Sequence, residues 1–96
     1  MSRALQMHAD DNVAMALQDL QAGERVRVRG PAGQTEVLLR EAVPLCHKFA
    51  LSDIAAQAAV RKYGQTIGAA RQAIAAGSHV HVHNLVSQRA QRRRHT

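Results

Sequence analysis

Three of the six histidines in this 96-residue chain, His79, His81 and His83, alternate with valines in GSHVHVHN at residues 77–84. On an extended strand, side chains at i, i+2 and i+4 share a face and lie roughly 6–7 Å apart. Two imidazoles so placed can converge on one divalent ion and leave positions for a carboxylate, a water or a substrate. The same alternation also describes a solvated edge strand with Val80 and Val82 turned inward. Three more polar clusters stand out from an alanine- and valine-rich background: HADDN at 8–12, HKFA at 47–50 and KYGQTIG at 62–68. Lys48 and Lys62 are the only lysines, and each falls inside a cluster. In a chain that otherwise uses arginine, this hints at a need for a compact, movable ammonium. Asp10, Asp11 and Asn12 read equally well as caps on backbone N–H groups. Cys46 beside His47 has no third group to orient it and reads as a structural thiol.

The chain is one domain's length, with one Phe, one Tyr and no Trp. Its core must be assembled from Val, Ile, Leu and Ala, which bury little area each. Such a thin core favours association, either with a partner chain or with further copies of itself. A single cysteine excludes an internal disulfide and fits a reducing, cytoplasmic compartment. No apolar run approaches the ~20 residues of a membrane span, and no signal-peptide pattern opens the chain.

The net charge of +6 is a property of the tail. Arg89, Arg92, Arg93 and Arg94 supply four of the thirteen basic residues, so residues 1–88 hold nine basic against seven acidic groups, a net of +2. SQRAQRRRHT reads as a solvated, disordered basic tail. A nearly neutral domain with almost no aromatic stacking platforms counts against nucleic acid as a partner.

The elements that must position the clusters are announced by a repeat. ALQDLQAGERV at 16–26, ALSDIAAQAAV at 50–60 and ARQAIAAGSHV at 70–80 share a frame of Ala, three residues, Leu or Ile, then a turn, then Val. Alanine favours helix by propensity. Gly23 and Gly77, each leading into a Val-alternating run, favour strand, tight turn, strand. Gln57 replaces the glycine in the second copy, so that turn is expected to be built differently, as a short helical turn. PAGQ at 31–34 marks another turn, followed by strand-like TEVLLREA. The expected fold is mostly β: a small domain of short strands with one or two short helical turns.

The four clusters, in this order, resemble the small N-terminal SAF domain of the altronate and galactarate dehydratase family. The family pattern appears as His8, Asp11, Asn12, Val13 and Ala14; His47, Lys48 and Ala50; Lys62, Tyr63, Gly64, Ile67 and Gly68; and Gly77, His79, Val80, His81, His83 and Asn84. The likeness runs over about residues 4–86. Departures fall at Ala9, at Cys46 in place of a family glycine, and at Gln57, and leave the charged and imidazole groups intact. The resemblance implies a β-clip (SAF-like) domain over 1–86 with the basic tail at 87–96. It also implies a metal-dependent lyase that dehydrates a sugar acid, or a related one that eliminates sulfite from sulfolactate. Such a domain works beside a large dehydratase subunit, and the chain reads as the small subunit, inactive without that partner.

Dehydrating a 2,3-dihydroxy acid removes a weakly acidic proton alpha to a carboxylate and expels a beta hydroxyl. That requires charge stabilisation of an enediolate, a base and an acid. The expected assignments are His81, His83 and Lys48 as catalytic groups. Lys62, Tyr63, His47, Asn84 and Asn12 are expected to bind the sugar- or sulfo-acid substrate. His8, His81 and His83 are expected to hold a divalent metal, Fe²⁺ or Mn²⁺. The competing expectation is a stand-alone SAF module that binds a carboxylate without turning it over.

Overall fold

The alanine- and valine-rich frame closes into β structure, and the structure, a computed structural model, describes residues 2–87. Among the described residues there are nine strands: β1 Ala4–Leu5, β2 Val13–Ala16, β3 Arg25–Gly30, β4 Gly33–Leu38, β5 Lys48–Ala50, β6 Ala59–Lys62, β7 Gln65–Ala70, β8 His79–Val80 and β9 Leu85–Ser87. They form a six-stranded sheet, β4-β3-β1-β2-β5-β8, and a three-stranded sheet, β6-β7-β9. Only the β1–β3 pairing is parallel. None of the described residues is helical, so the expected helical turns are absent and the domain is built of strands and tight turns alone. It follows that no helix among them could cross a membrane. The expected basic tail lies outside the described residues, apart from Ser87, which ends β9.

The repeat is fourfold. To the three copies visible in the sequence the structure adds LREAVPLCHKF at 39–49, hidden because it carries Leu39, Val43 and Cys46 where the frame shows Ala, Leu or Ile, and Gly. In every copy the first, fifth and eleventh residues are buried: Ala16, Leu20 and Val26; Leu39, Val43 and Phe49; Ala50, Ile54 and Val60; Ala70, Ile74 and Val80. The eighth has a positive φ throughout: Gly23 at 86°, Cys46 at 70°, Gln57 at 69° and Gly77 at 85°. The turn at Gln57 is therefore the same turn as the others, not a helical one. The reason is the tertiary hydrogen bond each of these residues makes. Gly23 N donates to Leu39 O, Cys46 N to Ala16 O, Gln57 N to Ala70 O and Gly77 N to Ala50 O, at 2.7–2.9 Å.

The copies thus work in two pairs, bridged at Leu20–Val43 and at Ile54–Ile74. One hairpin, β3–β4, separates the first pair, and another, β6–β7, the second. An acid caps each pair across the pseudo-symmetry, with Leu45 N donating to Asp19 Oδ1 at 2.8 Å and Ala76 N to Asp53 Oδ1 at 2.9 Å.

Strand alternation then feeds two cores from one sheet. Ala14 and Phe49 are cross-strand partners in the first core, with Leu20, Val26, Val28, Leu39 and Val43. Val13 and Ala50 are partners in the second, with Ile54, Val60, Ile74 and Val80. The strands β2 and β5 are consequently covered on both faces, while the edge strand β8 gives Val80 to the second core, and the ends of β5 and β8 emerge where the cores stop.

Candidate functional site

Those strand ends carry the histidines. In the antiparallel β5–β8 ladder Phe49 faces His79 and Lys48 faces Val80, so the next position outward sets His47 opposite His81. The ladder stops there. Asn84 folds the chain back: its Oδ1 accepts from His81 N at 2.9 Å and its Nδ2 donates to His79 O at 2.8 Å. Residues 81–84 are a turn, and the expected continuous strand through HVHVHN ends at Val80. Val82, expected to point inward, is 73% exposed. Alternation of residue types marks which side chains diverge; it does not reveal that a downstream amide will close a turn around them.

Termination of the strand gathers the rings. His47 Nδ1 and His79 Nε2 are 2.8 Å apart in a hydrogen bond, so one ring donates and the other accepts. The His47 and His81 ring centroids are 4.4 Å apart, and those of His79 and His81 5.4 Å. Each of His47, His79 and His81 offers a nitrogen within 4.8 Å of the other two, and all three are half-buried. His83 is exposed, and its ring lies tilted against that of His79, with centroids 5.6 Å apart.

The electrostatics favour neutral rings. His79 is held below the ordinary histidine range first by burial, then by His47, His81 and His83, with Glu41 pulling the other way. His81 is lowered first by desolvation, then by His47, Lys48 and His83. Neutral imidazoles are the form that binds a metal. Glu41, unmarked by any sequence motif, accepts from the His79 backbone N–H at 2.9 Å and anchors the start of β8.

Lys48 leaves β5 on the side opposite His47, the side of the second sheet. It is half-buried, and its ammonium is destabilised first by burial and then by the charge of Lys62. Lys62 ends β6, and its Nζ lies 5.1 Å from the centroid of the Tyr63 ring. The two lysines therefore belong to one electropositive spot, and His81 is the residue that senses both it and the other imidazoles.

The first polar cluster lies against the lysine hairpin. Asp11 is buried, 5% exposed, and its two carboxylate oxygens accept from Tyr63 N at 2.9 Å and Gly64 N at 2.8 Å. Asn12 donates to Ala59 O at 2.9 Å and accepts from Arg61 N at 2.8 Å. His8 accepts from the Asp10 N–H at 3.1 Å and packs on the hairpin tip, where a Cβ on Gly64 would come within 2.8 Å of its ring.

Of the residues expected at a site, the structure thus gathers His47 and His81, with His83 at their edge and Lys48 and Lys62 nearby. His8 is placed at the hairpin, outside the group of three nitrogens. Asn12 and Asn84 both have their amide oxygen and nitrogen bonded to backbone. His79 was missed as a potential ligand. Its spacing from His81 was the available signal, but only the β5–β8 pairing shows that HKFA supplies the third ring.

The arrangement has relatives. Residues 2–88 match the family described as the altronate/galactarate dehydratase SAF domain. The chain is 55% identical over 80 residues to altronate dehydratase of Escherichia coli (strain K12), which is 83% of this chain and 15% of that protein. It is 38% identical over 84 residues to altronate dehydratase of Bacillus subtilis (strain 168), 88% of this chain and 16% of that protein. It is 34% identical over 84 residues to (2R)-sulfolactate sulfo-lyase subunit alpha of Chromohalobacter salexigens, 84% of this chain and 89% of that subunit. The chain thus spans about a sixth of the altronate dehydratases it matches and most of the sulfo-lyase subunit.

Proposed function

The chain belongs to the altronate/galactarate dehydratase SAF-domain family, and on that premise we propose that it is the small subunit of a cytoplasmic, metal-dependent lyase that dehydrates a sugar acid. The observation that carries the reading is the convergence of three half-buried imidazoles beside two lysines. Support for a subunit comes from the sulfo-lyase relative, a subunit alpha of which the match covers 89%. The larger share of the altronate dehydratases, beyond the matched 15–16%, corresponds to the large partner.

The donor set fits a borderline divalent ion. Imidazole nitrogens suit iron, zinc or copper, so His47, His79 and His81 suit Fe²⁺ better than Mn²⁺, which prefers oxygen ligands. Such an ion supplies Lewis-acid stabilisation of negative charge on the substrate. The remaining work falls to side chains. Lys62 attracts the substrate carboxylate, with Tyr63 beside it. Lys48, whose ammonium is destabilised, is suited to accept the α-proton at Nζ. His83, outside the three converging rings, is suited to deliver a proton from its imidazole to the departing β-hydroxyl. The products are water and an enol that tautomerises to the 2-keto acid.

The sulfo-lyase likeness supports one alternative, in which Lys62 binds a sulfonate and sulfite departs in place of water. The test is His81→Gln in the assembled enzyme. Turnover should fall at least about 100-fold, and Fe²⁺ binding with it, while the variant remains folded. A folded variant with wild-type turnover would remove the imidazole cluster from the site.

A further inference from the structure

The buried carboxylate of Asp11 has no cation against it among the described residues; its partners are two consecutive backbone N–H groups. These belong to Tyr63 and Gly64, the two central residues of the β6–β7 hairpin, with φ of 57° and 73°. This is the left-handed pair of a type I′ turn, a geometry that Asn-Gly adopts freely and tyrosine does not. A bulky residue at φ > 0 persists only where its surroundings over-determine it, and such strain gathers at functional sites. Here the surroundings are Asp11 beneath the tip and the His8 ring against Gly64.

The neighbouring bonds extend the same strut. Asn12 grips Ala59 and Arg61, and Arg61 Nε donates to Asp10 O at 2.9 Å. Residues 10–12 lead directly into β2 of the six-stranded sheet, which pairs with β5 and so with Lys48. The hairpin they grip belongs to the other sheet, and its first strand ends in Lys62. Three consecutive side-chain and backbone groups therefore fix the distance between two lysines that no strand ladder connects.

We propose that Asp11 is a positioning residue for anion binding: by chelating the Tyr63 and Gly64 amides it holds Lys62 beside Lys48. This rests on the reading of Lys62 as the carboxylate-binding lysine beside Lys48. It separates Asp11 from metal ligation, since both its oxygens are spent on the hairpin amides.

The experiment compares wild type with Asp11→Asn, which keeps the volume but turns an amide N–H₂ toward one backbone donor. Titrations of the full chain with malonate and with Co²⁺ are followed by ¹⁵N-detected NMR. Malonate should bind about tenfold more weakly to the variant, the cost of one misplaced charged contact. Co²⁺ binding at the histidines should be unchanged within about twofold, and the Gly64 amide proton should move upfield on losing its carboxylate. In the assembled enzyme the loss should appear in KM more than in kcat. Equal malonate affinity in a folded variant, or parallel loss of Co²⁺ binding, would overturn the proposal. Should wild type bind no malonate, the lysine reading fails; an unmoved Gly64 amide would separately refute the tether. Gly64→Ala, with its Cβ against His8, displaces the tip while keeping Asp11 and the four histidines, and should reproduce the malonate loss if Asp11→Asn does not fold.

Discussion

At the scale of the residue, the site is an exercise in keeping imidazoles neutral. His79 and His81 have lowered pKa values because desolvation and their own neighbours disfavour charge. In the unfolded chain both return to the ordinary value of about 6.5. Above that pH neither state is protonated there and the two histidines do not affect stability. As pH falls below about 6.5 the unfolded chain takes up protons first, so stability declines until the folded-state values are passed. The metal-free protein should therefore melt at progressively lower temperature from pH 7 to pH 5. Replacing His79 and His81 together with Gln should flatten that slope, and an unchanged slope would show that the rings are not mutually destabilised. Residue types revealed much of this cluster in advance, because imidazoles at i, i+2 on one segment and another beside a lysine are conspicuous. Partnership was legible only in part. Asp11 reads as a cap on backbone N–H groups and is one, at Tyr63 and Gly64, whereas Asn84, expected to bind substrate, spends its amide on the His81 and His79 backbone.

At the scale of the element, one turn used four times builds the molecule. Three copies were visible as Ala, Leu or Ile, and Val at fixed spacing, which was enough to reject helices in alanine-rich segments. The fourth was not, since Leu39, Val43 and Phe49 fill the same buried positions with different side chains. Burial selects volume and apolarity, and identity is free to drift. The left-handed residue likewise need not be glycine when its N–H is tied to a partner copy, as Cys46 and Gln57 show. Both then carry a strain that glycine would relieve. Gln57→Gly should stabilise the domain by about 0.5–1 kcal/mol in urea unfolding. Gly77→Ala should cost more than about 1 kcal/mol, because its Cβ would meet Leu38 O in addition to adopting φ of 85°. Equal and small effects at the two positions would contradict the shared turn. The strand expected through His83 failed for a related reason: alternation persists in the sequence past the point where Asn84 ends the ladder.

At the scale of the whole molecule, two small cores flank a sheet that both share, and the polar groups collect at the ends of β5 and β8. His47 comes from the turn before β5, Lys48 from β5, His79 from β8 and His81 from the turn after it, while Lys62 arrives from the second sheet. This domain matches about a sixth of an altronate dehydratase and most of a sulfo-lyase subunit, and the proposed role treats this face as half of a site. The direct measurement is an elimination assay that follows 2-keto acid formation from altronate, galactarate and sulfolactate with Fe²⁺. It compares this chain alone with the chain mixed with a candidate large subunit. Turnover in the mixture and in neither component is the predicted result. Full activity of the large subunit without this chain, or no turnover in the mixture alongside tight carboxylate binding by this chain, would contradict a catalytic role.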